Sequence, residues 1–528
     1  MSVEHNLAAR LPERAALHPD RDSIVGARGE RISFGELATR VATLAGRLRA
    51  AGVTPGERVL VFVPMSIELY VLLLACFHAG VTAVFLDAWS DRARLAAAVR
   101  AARPRLFVAT PRAHLLRLFS PAVRRIAGHW WAGGGRLRRI RTEPLPLQPV
   151  APEHPALVTF TTGSTGAPKA ALRSHGFLLA QHRALAEHLD AQPGDVDMPT
   201  LPVFVLHNLA AGVPSVLPRF DPRRPARGDP ARLLRQMRAE RVTTSSGSPA
   251  FYDQLARHSV RTGTTLPLRA LRTGGAPVNR TLARRLLEAC DGRVTVVYGS
   301  TEAEPIATID ADELVGTGPP PDPNGPGWGI CAGRPVRAIR MRLIRPHDGP
   351  VVLGPRGWEE WEVQPGEPGE VTVAGEHVLA GYLDAPEEER RNKVRDGDTV
   401  WHRTGDGARL DPAGRLWLLG PVAESFERHG RVWWSTPAEE RALAAGGCEY
   451  AAYLGAAYLE IGGSRGIGAM LCVERSTPLD AVANAALRAA LAPIPADRVV
   501  VLPRIPRDLR HASKTDYPAL RRLLERAG

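Results

Sequence analysis

Between residues 33 and 110 the apolar positions switch repeatedly between two periods. Leu37, Val41, Leu44 and Leu48 recur at helical spacing behind Ser33, a residue suited to cap a helix, and the pattern runs to Gly52. Residues 58–64 are then almost continuously apolar, the signature of a strand buried on both faces. Ser66 opens an apolar helix that ends near Gly80, and residues 81–86 and 105–109 read as further strands. Strand alternating with helix predicts a parallel sheet covered by helices, an α/β fold. Residues 127–152, rich in Gly, Arg and Pro, read as a surface connection. The rhythm resumes with a strand at 156–158, helices at 176–189 and 229–240, a strand at 268–272, a helix at 279–290 and a strand at 294–297. Residues 221–226 and 316–327 read as loops, and from 333 to 373 short strands predict a small β subdomain. The C-terminal hundred residues return to strands near 451–454, 468–473 and 498–502, with a helix near 479–491, which predicts a small α+β domain after the large N-terminal one.

Composition narrows the picture. A chain of 528 residues can bury a large core and should split into at least two domains. No apolar run reaches the roughly 18 residues a membrane span needs. Met1-Ser2-Val3-Glu4-His5 lacks the basic and apolar regions of a signal peptide, so a cytoplasmic protein is expected. The five cysteines are scattered without metal-ligand spacing and read as reduced and structural. The net charge of +13 comes from arginines spread along the chain, not from a basic cluster, which argues against a nucleic-acid partner. Anionic ligands need only a local positive field.

Among 68 basic residues only three are lysine: Lys169, Lys393 and Lys514. Where arginine has replaced lysine so widely, a surviving lysine marks a place where a compact ammonium does what a guanidinium fork cannot. Lys393, in Arg390-Arg391-Asn392-Lys393, reads instead as a solvated surface charge. Lys169 closes Thr159-Phe160-Thr161-Thr162-Gly163-Ser164-Thr165-Gly166-Ala167-Pro168-Lys169. Its hydroxyls, glycines and lysine suit a tight loop that converges donors on phosphate oxygens. The Gly-x-x-Gly-x-Pro-Lys spacing is not that of a P-loop. The small residues Thr273-Gly274-Gly275-Ala276-Pro277 follow a strand and let a flat ring approach the backbone. Tyr298-Gly299-Ser300-Thr301-Glu302 and Thr404-Gly405-Asp406 complete the candidate chemistry.

These stretches, in this order, resemble the adenylate-forming superfamily of acyl-CoA synthetases, peptide-synthetase adenylation domains and luciferases, over nearly the whole chain. The resemblance implies a large adenylation domain at 1–419, a hinge at 420–424 and a small C-terminal lid domain at 425–528. It implies that Thr162, Gly163, Ser164, Thr165 and Gly166 cradle phosphates with Lys169. Gly274, Gly275, Ala276, Tyr298 and Gly299 would bind adenine, with Tyr298 stacked on the ring. Thr301 would touch the α-phosphate, Glu302 would bind Mg²⁺, Asp406 would accept from the ribose hydroxyls, and Lys514 would be the catalytic lysine. ATP and Mg²⁺ are the implied cofactors. The chain departs from the family pattern at Ala170, where relatives carry Gly, and in Leu419-Gly420-Pro421-Val422-Ala423, where they carry an arginine and a polar hinge residue. His207 stands two residues beyond the family's usual histidine position and reads as structural.

The implied activity is ATP-dependent activation of a carboxylic acid as acyl-AMP with release of pyrophosphate. Segments such as Asp197-Met198-Pro199-Thr200-Leu201-Pro202, Gly333-Arg334-Pro335-Val336 and Arg510-His511-Ala512-Ser513-Lys514 are similar to the β-lactone synthetases of bacterial olefin and natural-product pathways. Such enzymes activate a β-hydroxy acid whose own hydroxyl closes a lactone and expels AMP, so CoA is not favoured. The alternatives are an acyl-CoA or carrier-protein ligase, an enzyme with an amine or nitrite-type substrate, and a non-catalytic nucleotide-binding relative. The expected partner is a small-molecule acid held by residues 204–212 and 246–251, with a pathway enzyme or carrier protein as the only macromolecular candidates.

Overall fold

A computed structural model describes the chain apart from residues 87–91, 134–141, 163–167, 221–227, 318–328, 447, 462–463, 509–512 and 528. The helix Phe34–Ala50 starts where Ser33 Oγ accepts the Glu36 amide (3.2 Å) and turns Leu37, Val41, Leu44 and Leu48 into the core. Ile67–His78 begins in the same way at Ser66, and every residue in it except Glu68 is buried. Apolar residues all round a helix have only a protein interior to face.

These helices cover a six-stranded sheet in the order Gly128–Trp131, Leu106–Ala109, Arg58–Phe62, Thr82–Phe85, Pro155–Thr162, Pro168–Ser174. The first five strands run parallel; the last turns back antiparallel. The expected surface connection at 127–152 therefore contributes an edge strand, because His129 and Trp130 pair with Phe107 and Val108. A second, 14-stranded sheet is parallel from Asp22–Val25 through Asp197–Pro199, Thr244–Gly247 and Ala270–Gly274 to Arg293–Ser300. It becomes antiparallel at the Arg293–Ser300 and Ala303–Asp310 hairpin and continues so through Ile330–Pro335, Leu416–Pro421, Thr399–Leu410, Gly369–Ala374 and Arg340–Ile344. The predicted β subdomain is this antiparallel extension. Toward the C-terminus, helices Ser435–Ala444, Ala481–Leu491 and Tyr517–Ala527 accompany a three-stranded sheet of Tyr450–Ile461, Ser464–Glu474 and Arg498–Leu502.

The α/β class read from the sequence is the observed one. The loop expected at 221–226 lies outside the described residues, as does most of 316–327. All five cysteines are free thiols, four of them buried. Among the described residues no helix is long and apolar enough to cross a membrane.

Candidate active site

Strands Pro155–Thr162 and Pro168–Ser174 bring Thr161 opposite Lys169. Gly163, Ser164, Thr165 and Gly166 lie outside the described residues, and so does the side chain of Thr162. Lys169 itself is buried: its Nζ sits 2.7 Å from Glu388 Oε2 and 5.6 Å from the centre of the Tyr382 ring. Ala170 is buried as well, and its carbonyl accepts the Leu383 amide. Further along the strand, Arg173 donates to the Thr301 carbonyl (2.9 Å). This strand thus holds the turn that carries Thr301 and Glu302.

That turn is where the large sheet changes from parallel to antiparallel. Pairing slips between Tyr298 and Ser300, and the residue at the slip is Gly299. A Cβ at Gly299 would lie 2.9 Å from the Ala303 carbonyl, so only glycine fits without displacement. Ser300 Oγ closes the turn by accepting the Glu302 amide (3.2 Å). The Tyr382 hydroxyl donates to Glu302 Oε1 (3.2 Å), and the Leu379 amide donates to the Glu302 carbonyl (2.7 Å). On the neighbouring strand a Cβ at Gly274 would meet the Val297 carbonyl at 2.3 Å, and Gly275 has φ +79°. Ala276, half-buried, follows them.

The Tyr298 hydroxyl donates to Asp406 Oδ2 (2.9 Å). The Asp406 amide is in turn held by Thr404 Oγ1 (3.1 Å), and the preceding Gly405 amide by Glu370 Oε1 (3.2 Å). Burial raises the Asp406 carboxyl, and the charge of Lys514 opposes that rise. Lys514 is exposed to solvent. Its backbone is fixed to Asp508 in both directions, through Lys514 N to Oδ1 (3.0 Å) and Asp508 N to the Lys514 carbonyl (2.9 Å). Tyr450 braces the same loop by donating to the Ser513 carbonyl (2.9 Å). Pro421 lies across the ladder from Asp406. His207 is buried against His182, with their Nδ1 atoms 3.0 Å apart. Burial lowers them to about 3 and about 4, so both rings stay neutral near pH 7.

Lys393 corrects the sequence reading. It is not a solvated charge: it is 5% exposed, its Nζ donates to the Leu379 carbonyl, and it lies 5.3 Å from the centre of the Tyr382 ring. Burial pushes it down to about 7. The arginines just before it, Arg390 and Arg391, made the segment read as surface, but strand Lys393–Asp396 begins by turning its first side chain inward. Tyr382, Glu388 and Arg173 were missed altogether. The scarcity of lysine was the one signal that pointed to Lys393.

The chain matches the model of the AMP-binding enzyme family over residues 11–383. It is 32% identical to the olefin β-lactone synthetase of Stenotrophomonas maltophilia, over 96% of each chain. Against the olefin β-lactone synthetase of Xanthomonas campestris pv. campestris it is again 32% identical, over 81% of this chain and 80% of the relative. In fold it is similar to the amide bond synthetase McbA from Marinactinospora thermotolerans, with a TM-score of 0.79 and 23% identity over 98% of this chain and 99% of that one. The chain belongs to the AMP-binding enzyme family, and it is an adenylate-forming enzyme.

Proposed function

We propose that the enzyme uses ATP to activate a β-hydroxy acid as its acyl-adenylate and then cyclises it to a β-lactone. A carboxylate oxygen attacks the α-phosphorus and pyrophosphate leaves. The substrate's own hydroxyl oxygen then attacks the acyl carbon, the bond to AMP breaks, and the hydroxyl proton passes to solvent. Beyond ATP and the acid, neither step needs a further substrate. Whole-length likeness to β-lactone synthetases supports this reading over one that requires CoA.

One arrangement carries the adenylation half. Lys169, Thr301, Glu302, Tyr298, Asp406 and Lys514 come from four separated stretches: Arg173 and Tyr382 tie Thr301 and Glu302 to the strand of Lys169, Tyr298 bonds Asp406, and the charge of Lys514 acts on Asp406. A carboxylate is a poor nucleophile, so catalysis must come from positioning and from neutralising charge on the phosphates. Lys169, with the loop at Thr162, Gly163, Ser164, Thr165 and Gly166, serves the β- and γ-phosphates. Thr301 and Lys514 serve the α-phosphate. Gly274, Gly275, Ala276, Tyr298 and Gly299 form the adenine seat, and Asp406 takes the ribose. The donor set fits magnesium, which prefers one or two carboxylates with phosphate oxygens and water. Glu302 would hold it, with Tyr382 orienting one carboxylate oxygen. When bound, Mg²⁺ neutralises phosphate charge and favours departure of pyrophosphate. We further propose that 420–424 joins the domains 1–419 and 425–528. The lactone route needs no CoA site, which accords with the loss of the polar hinge residue at Ala423.

The test is mass spectrometry of products from protein, Mg-ATP and a 2-alkyl-3-hydroxy fatty acid, with and without CoA. A dehydrated acid plus AMP, independent of CoA, is the expected result. A thioester formed only with CoA would transfer the enzyme to the acyl-CoA ligases. Absence of pyrophosphate release with every acid tried would mark a nucleotide-binding relative.

A further inference from the structure

The segment from Val378 to Leu383 lies across both halves of the site. At one end Val378 bridges Ala303, and the Leu379 amide holds the Glu302 carbonyl (2.7 Å). At the other, Tyr382 bridges Ala171, and the Leu383 amide holds the Ala170 carbonyl (2.9 Å). This strap ties the Glu302 turn to the strand of Lys169. Tyr382 projects from it, donates to Glu302 Oε1, and has Lys169 over its ring. Lys393 holds the strap from the protein interior: Nζ donates to the Leu379 carbonyl and lies over the same ring. Two of the chain's three lysines thus converge on one tyrosine.

We propose that Lys393 is a positioning residue of the adenylation centre. Its buried amino group, donating to the Leu379 carbonyl, fixes the strap and the Tyr382 ring and, through them, the orientation of the Glu302 carboxylate. This rests on the reading of Glu302 given above. A buried charge is costly, and folding alone would be served as well by a leucine or methionine at this position. The geometry gives the group a use: its amino group is held to the strap, and when protonated near the ring it draws electron density from it and strengthens the phenol as a donor to the carboxylate. It also explains why arginine has not replaced this lysine: the pocket between Leu379 and Tyr382 admits a compact ammonium, whereas a planar fork would displace the strap.

The experiment measures ATP binding by calorimetry, in MgCl₂ and in EDTA, for the full chain and for Lys393→Met, Tyr382→Phe and Glu302→Gln. Pyrophosphate exchange is followed alongside. In the wild type magnesium tightens ATP binding, and Glu302→Gln removes that gain. Lys393→Met is expected to cut the gain by about tenfold and to lower kcat for exchange by at least about tenfold, with KM for the acid within about twofold of wild type. Tyr382→Phe should move the same quantities in the same direction, and the double variant should be no worse than Lys393→Met, because the two act in series. A Lys393→Met protein with wild-type magnesium dependence overturns the proposal, as does a loss that falls equally on every parameter. Should Lys393→Met not fold, an unchanged magnesium gain in Tyr382→Phe overturns it. If Glu302→Gln itself leaves the magnesium gain intact, the reading of Glu302 fails instead.

Discussion

Arg403→Met should destabilise the protein strongly, and more at pH 8 than at pH 5. Arg403 and Glu370 form an ion pair at 2.6 Å with both side chains almost wholly buried. The guanidinium also donates to the carbonyls of Gly349 (2.5 Å), Arg391 (3.1 Å) and His347 (2.6 Å). Methionine fills much of the volume but leaves those acceptors bare and a carboxylate buried without its partner. Removing one member of such a pair costs about 3–5 kcal/mol. Burial already raises Glu370, with Arg403 the main opposing influence. Without Arg403 its folded pKa rises further above the unfolded value. A carboxyl raised in this way is tolerated when protonated and destabilises once the pH exceeds its unfolded pKa. Each unit of additional rise adds about 1.4 kcal/mol to the deficit at high pH. Thermal unfolding at pH 5 and pH 8 is the assay, with a loss on the order of 3–5 °C at pH 8 and a clearly smaller one at pH 5. An equal loss at both values, or one under about 1 kcal/mol at pH 8, would refute the account. The site should suffer too, since Glu370 holds the Gly405 amide next to Asp406.

Lys514→Ala should slow adenylation by about a hundredfold or more while ATP binding changes little, in pyrophosphate exchange and equilibrium binding respectively; equal losses would remove its role in the transition state. Gly274→Ala places a Cβ against the Val297 carbonyl, so it should cost about 1–3 kcal/mol and weaken ATP binding, read by thermal shift and calorimetry. Glu439 is half-buried, accepts from Tyr517 Oη (2.7 Å) and the Tyr453 amide (3.1 Å), and is raised to about 7 by desolvation. Its folded pKa exceeds the unfolded one, so stability should fall as pH rises through about 7, and Glu439→Gln should flatten that dependence in thermal scans from pH 5 to 8.

The departures from the family pattern read differently once the packing is visible. Gly420 has φ +113°, and a Cβ there would lie 2.3 Å from Ser435 Oγ. A Cβ at Gly407 would strike Trp434 at 2.0 Å. The start of helix Ser435–Ala444 is therefore seated on two glycines of the neighbouring strands, beside Pro421. Arg280 on the large sheet's side adds an ion pair with Glu440 of that helix at 3.7 Å.

Much of the fold was readable because its signals are local. Ser33 and Ser66 announce helices through bonds to amides three residues on, and the period of the apolar positions separates helix from strand over windows of a dozen residues. The hydroxyl- and glycine-rich composition of 159–169, the glycines at 274, 275 and 299 and the three surviving lysines were visible for the same reason: each is a residue type whose chemistry restricts where it can stand. Contacts across the sheets carry no such mark. Tyr298 meets Asp406 over 108 positions, and Tyr382 meets Glu302 over 80. Which tyrosine reaches which carboxylate depends on strand register and on the strap at 378–383, not on any neighbouring residue. Lys393 makes the point most sharply. Flanked by Arg390 and Arg391, it has the local character of a surface charge, yet pairing of its strand with His402 turns it inward onto Leu379 and Tyr382. Local pattern decides which elements form and where the loops fall; only the assembled sheets decide which charges are taken out of water and what they then hold in place.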